Sequence, residues 1–168
     1  MNVFQPLDGR WKGEFTIYQD EHRRVKSQVE LKHLTRDMFN SMRFRKIGNI
    51  EVEQEYISES PFFQRVEIKD HIPNEGKTIV SKGVNKVENG TLRCIVIKPD
   101  EVVVHQGSIR GRHTILWERS EENPRRVEFF QETVEKEKYQ ILGWGYYEGD
   151  DLNLSPRMWF LGEYLRVD

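Results

Sequence analysis

The feature of this sequence that most restricts its fold is the alternation of apolar and polar residues at every second position. In residues 23–33, Val25, Val29 and Leu31 fall on one side of an extended chain, while charged and polar residues fall on the other. Residues 50–57 repeat this pattern with glutamates on the polar side. A period of two is typical of an antiparallel strand with one face buried and one face in water.

Many further segments have the composition of strands and are separated by short turn signals. The predicted strands are residues 9–19, 38–47, 62–70, 77–87, 91–98, 101–107, 112–120, 125–135, 138–148 and 156–167. The turn signals are Asn89-Gly90, Pro99-Asp100, Asn123-Pro124 and Gly149 to Asp151. Strands joined by turns of this kind favour an antiparallel meander of about ten to twelve strands.

A meander of this length has to protect its two edge strands, because open edges recruit other chains. Closure into a barrel removes both edges. We therefore predict an all-β fold, a single antiparallel up-and-down barrel of about eight to ten strands that spans residues 1–168 as one domain. A short helix is expected near residues 2–8, where Phe4 and Leu7 could plug one end. A barrel of this size can enclose one small ligand.

Charge and composition exclude several functional classes. The 26 Lys and Arg residues are interleaved with 28 Asp and Glu residues, so no basic surface for nucleic acid is expected. No segment approaches the roughly 20 apolar residues of a membrane span, and the N-terminus does not look like a signal peptide. The single cysteine, Cys94, is interpreted as a packed side chain. These features predict a cytoplasmic protein without a nucleic-acid or membrane partner.

Two short motifs lie at the ends of the chain. The sequence GRWKGEF (residues 9–15) places Trp11 between two glycines at the start of the first strand, and EYLRVD at the other end contains Arg166. Together with an all-strand body, this pairing resembles the calycin group of barrels, which includes lipocalins, fatty-acid-binding proteins, nitrobindins and S-type phycobiliprotein lyases. The resemblance implies that Trp11 plugs one end of the barrel and that Arg166 packs across its ring.

The resemblance also implies a container for a small hydrophobic or amphipathic ligand, such as a fatty acid, a tetrapyrrole or a carotenoid-like molecule. Aromatic side chains would line the interior, and arginines at its mouth would hold a carboxylate. The alternative is that the aromatic residues simply fill the barrel. The predicted ligand-binding residues are Arg110, Arg112, His113, Trp117, Trp144, Tyr146 and Trp159.

Metal and catalytic signals are sparse. His105 and His113 flank a predicted hairpin at residues 107–111, but two histidines are too few for a zinc site, so no metal is expected. Nitrobindin-like proteins hold haem through a histidine near the end of the last strand, and LGEYLR has none there. No nucleophile or nucleotide-binding motif occurs, which leaves a general acid or base such as Glu118 or His113 as the enzymatic option.

The sequence thus predicts a binding protein for a hydrophobic or amphipathic ligand, with no dedicated cofactor beyond a bound tetrapyrrole or lipid. The alternative is a lipocalin-like barrel enzyme, a lyase or an isomerase, that acts on such a ligand. A third option is a filled barrel that binds another protein through its outer surface, including a second copy of itself as a homodimer. The sequence does not decide whether any chemistry takes place.

Overall fold

The computed structural model describes residues 3–167, which form one closed antiparallel barrel of ten strands. Each strand pairs with its neighbours in chain order, as predicted for an up-and-down barrel. The strands are β1 (Gly9–Asp20), β2 (Phe44–Ser60), β3 (Phe63–Ile72), β4 (Lys77–Glu88), β5 (Thr91–Ile97), β6 (Val102–Arg110), β7 (Thr114–Glu122), β8 (Arg125–Glu135), β9 (Lys138–Tyr147) and β10 (Met158–Val167).

The barrel closes where β10 returns to β1. The ladder between these strands runs without interruption from Arg10 opposite Val167 to Gln19 opposite Met158. On its other side β1 pairs with the long strand β2, with a register shift next to Ile17. Every strand has a neighbour on both sides, although β6 and β7 pair only from Gln106–Glu118 to Arg110–Thr114 and are not paired beyond Glu118.

Helical structure in residues 3–167 is confined to short 3₁₀ helices at Gln5–Leu7, Lys26–Gln28, Arg36–Asn40 and Pro73–Glu75. None of these helices is long and apolar enough to cross a membrane. The first one confirms the predicted N-terminal helix, since Phe4 and Leu7 are almost completely buried at one end of the barrel. The predicted turn at Asn89-Gly90 is also present, and both of its residues have positive φ.

The described residues form two hydrophobic clusters inside the barrel and one on the outer face of its wall, and the smaller inner cluster contains Phe4, Leu92, Ile115 and Trp117. The inner core occupies the closed end of the barrel and includes Leu7, Trp11, Tyr139 and Tyr164. The outer core lies on the outer face of the wall formed by β8, β9, β10 and β1. Its buried members are Leu34, Phe39, Phe44, Phe129, Leu142, Trp144, Tyr146, Trp159 and Leu161.

The outer core is covered by residues 21–43, which connect β1 to β2 and are called the covering segment below. The predicted strand at residues 23–33 is wrong, because this stretch is irregular and contains a 3₁₀ helix. Its alternation has another cause: Val29 and Leu31 pack against the outer face of the wall, while the polar residues next to them, Gln28, Glu30 and Lys32, face water. The strand predicted at residues 38–47 begins only at Phe44 and continues through residues 50–57 as β2.

Candidate ligand-binding cavity

The barrel encloses a cavity of about 320 Å³ lined by inward-facing residues from all ten strands. Its wall is mainly apolar because every second residue of each strand points inward. The apolar and aromatic lining residues are Phe15, Ile50, Val52, Val66, Ile68, Cys94, Val96, Val103, Trp117, Phe130 and Ile141.

The closed end of the cavity is sealed by Trp11 and Arg166. Trp11 is completely buried, and its indole Nε1 donates a hydrogen bond to the Leu7 carbonyl over 2.8 Å. The Arg166 guanidinium carbon lies 4.2 Å from the centre of the indole ring, a cation–π geometry. Its NH2 group also donates to the carbonyls of Pro6 and Lys136. The predicted roles of Trp11 as plug and of Arg166 across its ring are confirmed.

Three tyrosines form the floor of the cavity above this plug. Tyr139 packs edge-on against Trp11 with 5.6 Å between ring centres, and the Tyr164 ring lies 5.1 Å from that of Tyr139. The hydroxyls of Tyr56 and Tyr139 are 3.3 Å apart, and Tyr56 also donates to Gln54. Burial raises the pKa of Tyr139 well above its usual value, so its hydroxyl stays protonated and can act as a donor.

Glu132 brings a carboxyl group into this largely apolar space. Its Oε2 atom accepts a hydrogen bond of 2.8 Å from the Tyr139 hydroxyl. Its Oε1 atom is buried and has no hydrogen bond of good geometry among the described residues, although the Trp117 side chain lies close enough to favour the ionised form. Burial raises the pKa of Glu132 to about 7, against the opposing effect of the Tyr139 and Trp117 side chains. The group therefore changes its ionisation near neutral pH.

Three further polar atoms in the lining are buried without a hydrogen-bond partner among the described residues: Ser81 Oγ, Asn85 Oδ1 and His105 Nε2. The amide nitrogen of Asn85 donates to Gln64 over 2.9 Å, which fixes the orientation of the amide and directs Oδ1 away from Gln64. Ser81 and Asn85 are 1% and 3% exposed. Buried polar atoms are normally paired in folded proteins, so this group of atoms suits a molecule bound between them.

The opposite end of the cavity, remote from Trp11, is its mouth. Asp70, the exposed Lys98 and Val103 line it there. Burial raises the pKa of Asp70, although Lys98 and His71 favour its ionised form. Burial, together with Arg119 and Lys98, lowers the pKa of His105 to about 4, so this imidazole is neutral at physiological pH.

A cluster of paired charges lies beside the mouth. The Arg119 guanidinium is 2.9 Å from a Glu121 oxygen, 3.4 Å from a Glu128 oxygen and 3.6 Å from a Glu101 oxygen. Tyr147 donates a hydrogen bond to the second oxygen of Glu128. Because its charge is offset by several carboxylates, Arg119 has little capacity left to hold an acidic ligand.

Of the seven residues predicted from the sequence to bind a ligand, the structure places Trp117 in the cavity wall. Its ring lies directly against Gly107, where a Cβ atom would approach the ring to 2.7 Å. Glycine at this position leaves the room that the indole needs. Contact between Trp117 and a ligand stays a prediction.

Trp144, Tyr146 and Trp159 do not face the cavity, which corrects their predicted position. They point outward from β9 and β10 into the outer core. Each of these side chains donates a hydrogen bond to a backbone carbonyl there: Trp144 to Leu31, Tyr146 to Leu154 and Trp159 to Pro156. These aromatic residues hold the covering segment and the β9–β10 connection against the wall.

The two predicted arginines and His113 also lie outside the cavity, a second correction. Arg110 donates to the Lys32 carbonyl and to Gln131 Oε1, and so helps to fix the covering segment. Arg112 and His113 are exposed in the turn between β6 and β7, where they line a second pocket of about 60 Å³ that Glu132 also borders. The turn is located at residues 111–113 rather than at residues 107–111.

The other candidate groups are dispersed as well. His105 faces the cavity from the middle of β6, whereas His113 lies in the exposed turn. Glu118 is exposed on the outer surface and forms an ion pair with Lys32 over 2.6 Å. Within residues 3–167, no three His, Cys, Asp or Glu side chains are grouped so that they could hold a metal ion.

Glu132, Ser81 and Asn85 were not predicted from the sequence as site residues. A signal for Glu132 exists, because it shares the alternation phase of Phe130 and Val134, both of which face inward. A glutamate at an apolar phase of a strand marks a buried carboxyl. No comparable signal distinguishes Ser81 and Asn85, because small polar residues are common on both faces of strands.

No protein-family model and no curated protein matches this chain. Among solved structures, a redesigned β-barrel covers 99% of this chain and 96% of its own length, with 11% identity and a TM-score of 0.43. A de novo designed fluorescence-activating β-barrel has 10% identity, a TM-score of 0.42 and 99% coverage of both chains. A redesigned barrel bound to DFHBI has 12% identity and a TM-score of 0.42, and covers 99% of this chain and 100% of its own. Likenesses this distant say nothing about function.

Proposed function

We propose that this protein binds a small, mainly apolar ligand inside the barrel. The observation that carries the proposal is the interior cavity of about 320 Å³ with buried polar atoms that lack partners. Binding sites for small molecules are apolar cavities with a few polar groups that fix orientation. A barrel that was only a scaffold would gain stability from filling this space.

The size of the cavity favours a compact ligand, because it lies at the lower end of the roughly 300–1,000 Å³ range of small-molecule sites. The classes implied by the calycin resemblance are a fatty acid, a tetrapyrrole and a carotenoid-like molecule. Native mass spectrometry of the protein from its own host, followed by extraction, tests all three together. Recovery of one small molecule per protein chain, whatever its class, supports the binding function.

A matched pair of variants tests whether the ligand is held inside the barrel. Val96 points into the cavity, while its neighbour Ile97 is 59% exposed on the outside. Val96→Phe should fill part of the cavity and lower the amount of bound ligand, whereas Ile97→Phe should leave it unchanged. Circular dichroism confirms that both variants are folded. Equal ligand loading of both variants would contradict binding inside the barrel.

A second candidate function is an enzyme that transfers a proton within the cavity. The observation that favours it is the buried carboxyl of Glu132, whose pKa of about 7 suits a general acid or base. An isomerase or a lyase would use such a group. Mass spectrometry of the extracted ligand after incubation tests this: conversion that stops in Glu132→Gln supports catalysis, and an unchanged ligand contradicts it.

A further inference from the structure

The cavity has an uneven distribution of charge along its length. Lys98 is the only Lys or Arg among the described lining residues, and it lies at the mouth. Below the mouth, the ionisable groups are the Glu132 carboxyl, Cys94, His105 opposite it and three tyrosines, none of which is a cation at neutral pH. A carboxylate that entered the deep part of the cavity would therefore meet a carboxyl group and no positive charge.

The unpartnered atoms of the deep part are mainly acceptors. Glu132 Oε1 and Asn85 Oδ1 can only accept hydrogen bonds, the former whenever the group is ionised. Ser81 Oγ, which can either donate or accept, lies nearer the mouth, since the next residue, Lys82, pairs with Ile97. The Tyr139 hydroxyl, a donor on the floor, is already used by Glu132 Oε2. Uncharged donors also lie near this carboxyl, the Trp117 indole and the Tyr164 hydroxyl. The lining provides no Lys or Arg beside them, so the deep part suits a ligand whose head group is not an anion and supplies N–H or O–H groups.

We propose that the cavity selects a non-acidic amphipathic ligand whose amine or hydroxyl head group donates a hydrogen bond to the Glu132 carboxyl. The inference rests on the proposed binding function and gives it a ligand class. The aromatic side chains of Phe15, Trp117 and Phe130 surround the apolar body of the ligand. An ammonium group gains most, because a hydrogen bond between charged groups in a buried site is stronger than one between neutral groups.

The test uses three naphthalene derivatives that differ in the head group: naphthylmethylamine, naphthylmethanol and naphthoate. Isothermal titration calorimetry of the full chain at neutral pH gives the three affinities. We expect the amine to bind most tightly, the alcohol less tightly and the carboxylate least. An amine-to-carboxylate ratio of about tenfold or more corresponds to one charge-assisted hydrogen bond.

Glu132→Gln removes the charge while keeping the shape of the side chain. In this variant the affinity for the amine should fall by about tenfold and the affinity for naphthoate should rise, because an amide can donate to a carboxylate. Glu135→Gln is the matched control, since Glu135 lies on the same strand and is exposed to water. Its affinities should equal those of the unmodified protein.

The outcomes separate the two proposals. If none of the three molecules binds and nothing is extracted from the native protein, the binding function itself fails. If naphthoate binds as tightly as the amine, or if Glu132→Gln leaves the ranking unchanged, the head-group assignment is wrong while the binding function stands. Should Glu132→Gln fail to fold, the ranking measured on the unmodified protein still decides the assignment.

Discussion

Trp11 shows how much one residue contributes to closing the barrel. Its ring is fully buried between Tyr139 and Arg166, and its indole N–H is paired with Leu7. Trp11→Ala should lower the free energy of unfolding by about 3–5 kcal/mol, as expected for deletion of a large core side chain. Urea denaturation followed by circular dichroism measures this loss. Leu165→Ala, at a site 58% exposed next to Arg166, is the control and should change stability little.

Glu132 makes stability depend on pH in a direction opposite to that of a salt-bridged carboxylate. Its pKa is raised from 4.5 in the unfolded chain to about 7 in the fold. Between these values the folded protein holds a proton that the unfolded chain releases, so stability falls as pH rises. The loss is complete above about pH 7 and amounts to about 3 kcal/mol.

Glu132→Gln isolates this effect from the other titrating groups, including Asp70. The difference in unfolding free energy between the variant and the unmodified protein should grow in favour of the variant from about pH 4.5 to pH 7. Denaturation curves at several pH values give this difference directly. A difference that is constant with pH would show that the carboxyl has an ordinary pKa in the folded state.

The residues of the cavity illustrate what the sequence can and cannot predict. Trp11 and Arg166 could be assigned because a glycine-flanked tryptophan and a terminal arginine form a local motif. The site residues Ser81 and Asn85 could not, because their role depends on which face of β4 points inward. Pairing around the whole barrel determines which face of β4 points inward, and no short segment of the sequence reveals that face.

At the scale of elements, β9 explains why two of the three outward-facing aromatic residues were placed on the wrong side of the wall. Tyr139 and Ile141 face the cavity, while Trp144 and Tyr146 face the outer core, so both faces of this strand are apolar. The alternation that identifies an inward face requires the other face to be wet. On β9 the covering segment buries the outer face as well, so the sequence does not show which alternate residues point inward.

The strands themselves were predictable to a much greater extent than the covering segment. Strands β3 to β10 begin and end within a few residues of their predicted bounds, since alternation and turn residues act locally. Residues 23–33 alternate equally well, but both edges of the preceding strand, β1, are already paired with β2 and β10. No neighbouring strand is therefore left for residues 23–33 to pair with. Pairing by the rest of the barrel overrides the local preference.

Gln131 is the residue that fixes the covering segment to β8. Its amide accepts from Leu34 N and donates to the Leu34 carbonyl, both over 2.9 Å, and it also accepts from Arg110. Gln131→Leu leaves these groups buried without partners and should cost about 1–3 kcal/mol. The loss should appear as faster hydrogen exchange at Leu34. Gln106→Leu, on the exposed face of β6, is the control and should leave that exchange rate unchanged.

At the scale of the whole molecule, the inner core and the outer core lie on the two faces of one wall, but different parts of the chain hold them in place. The inner core is enclosed by strands that pair around the complete barrel. The outer core depends on the covering segment, which is held by side-chain contacts and a few backbone hydrogen bonds, such as that from Lys26 to Asn153. Segments with few backbone hydrogen bonds open at a lower free energy than a sheet does.

A ligand inside the barrel should therefore stabilise the two parts unequally. At a free concentration of about 100 times Kd, it should raise the free energy of global unfolding by about 2.7 kcal/mol. Amides of β8 and β9 that exchange only on global unfolding should gain this protection. Amides of the covering segment should gain none, because the segment can open while the barrel and its ligand stay intact. Hydrogen exchange with naphthylmethylamine present and absent measures both; equal gains in the two regions would mean that inner core, wall and covering segment unfold as one unit.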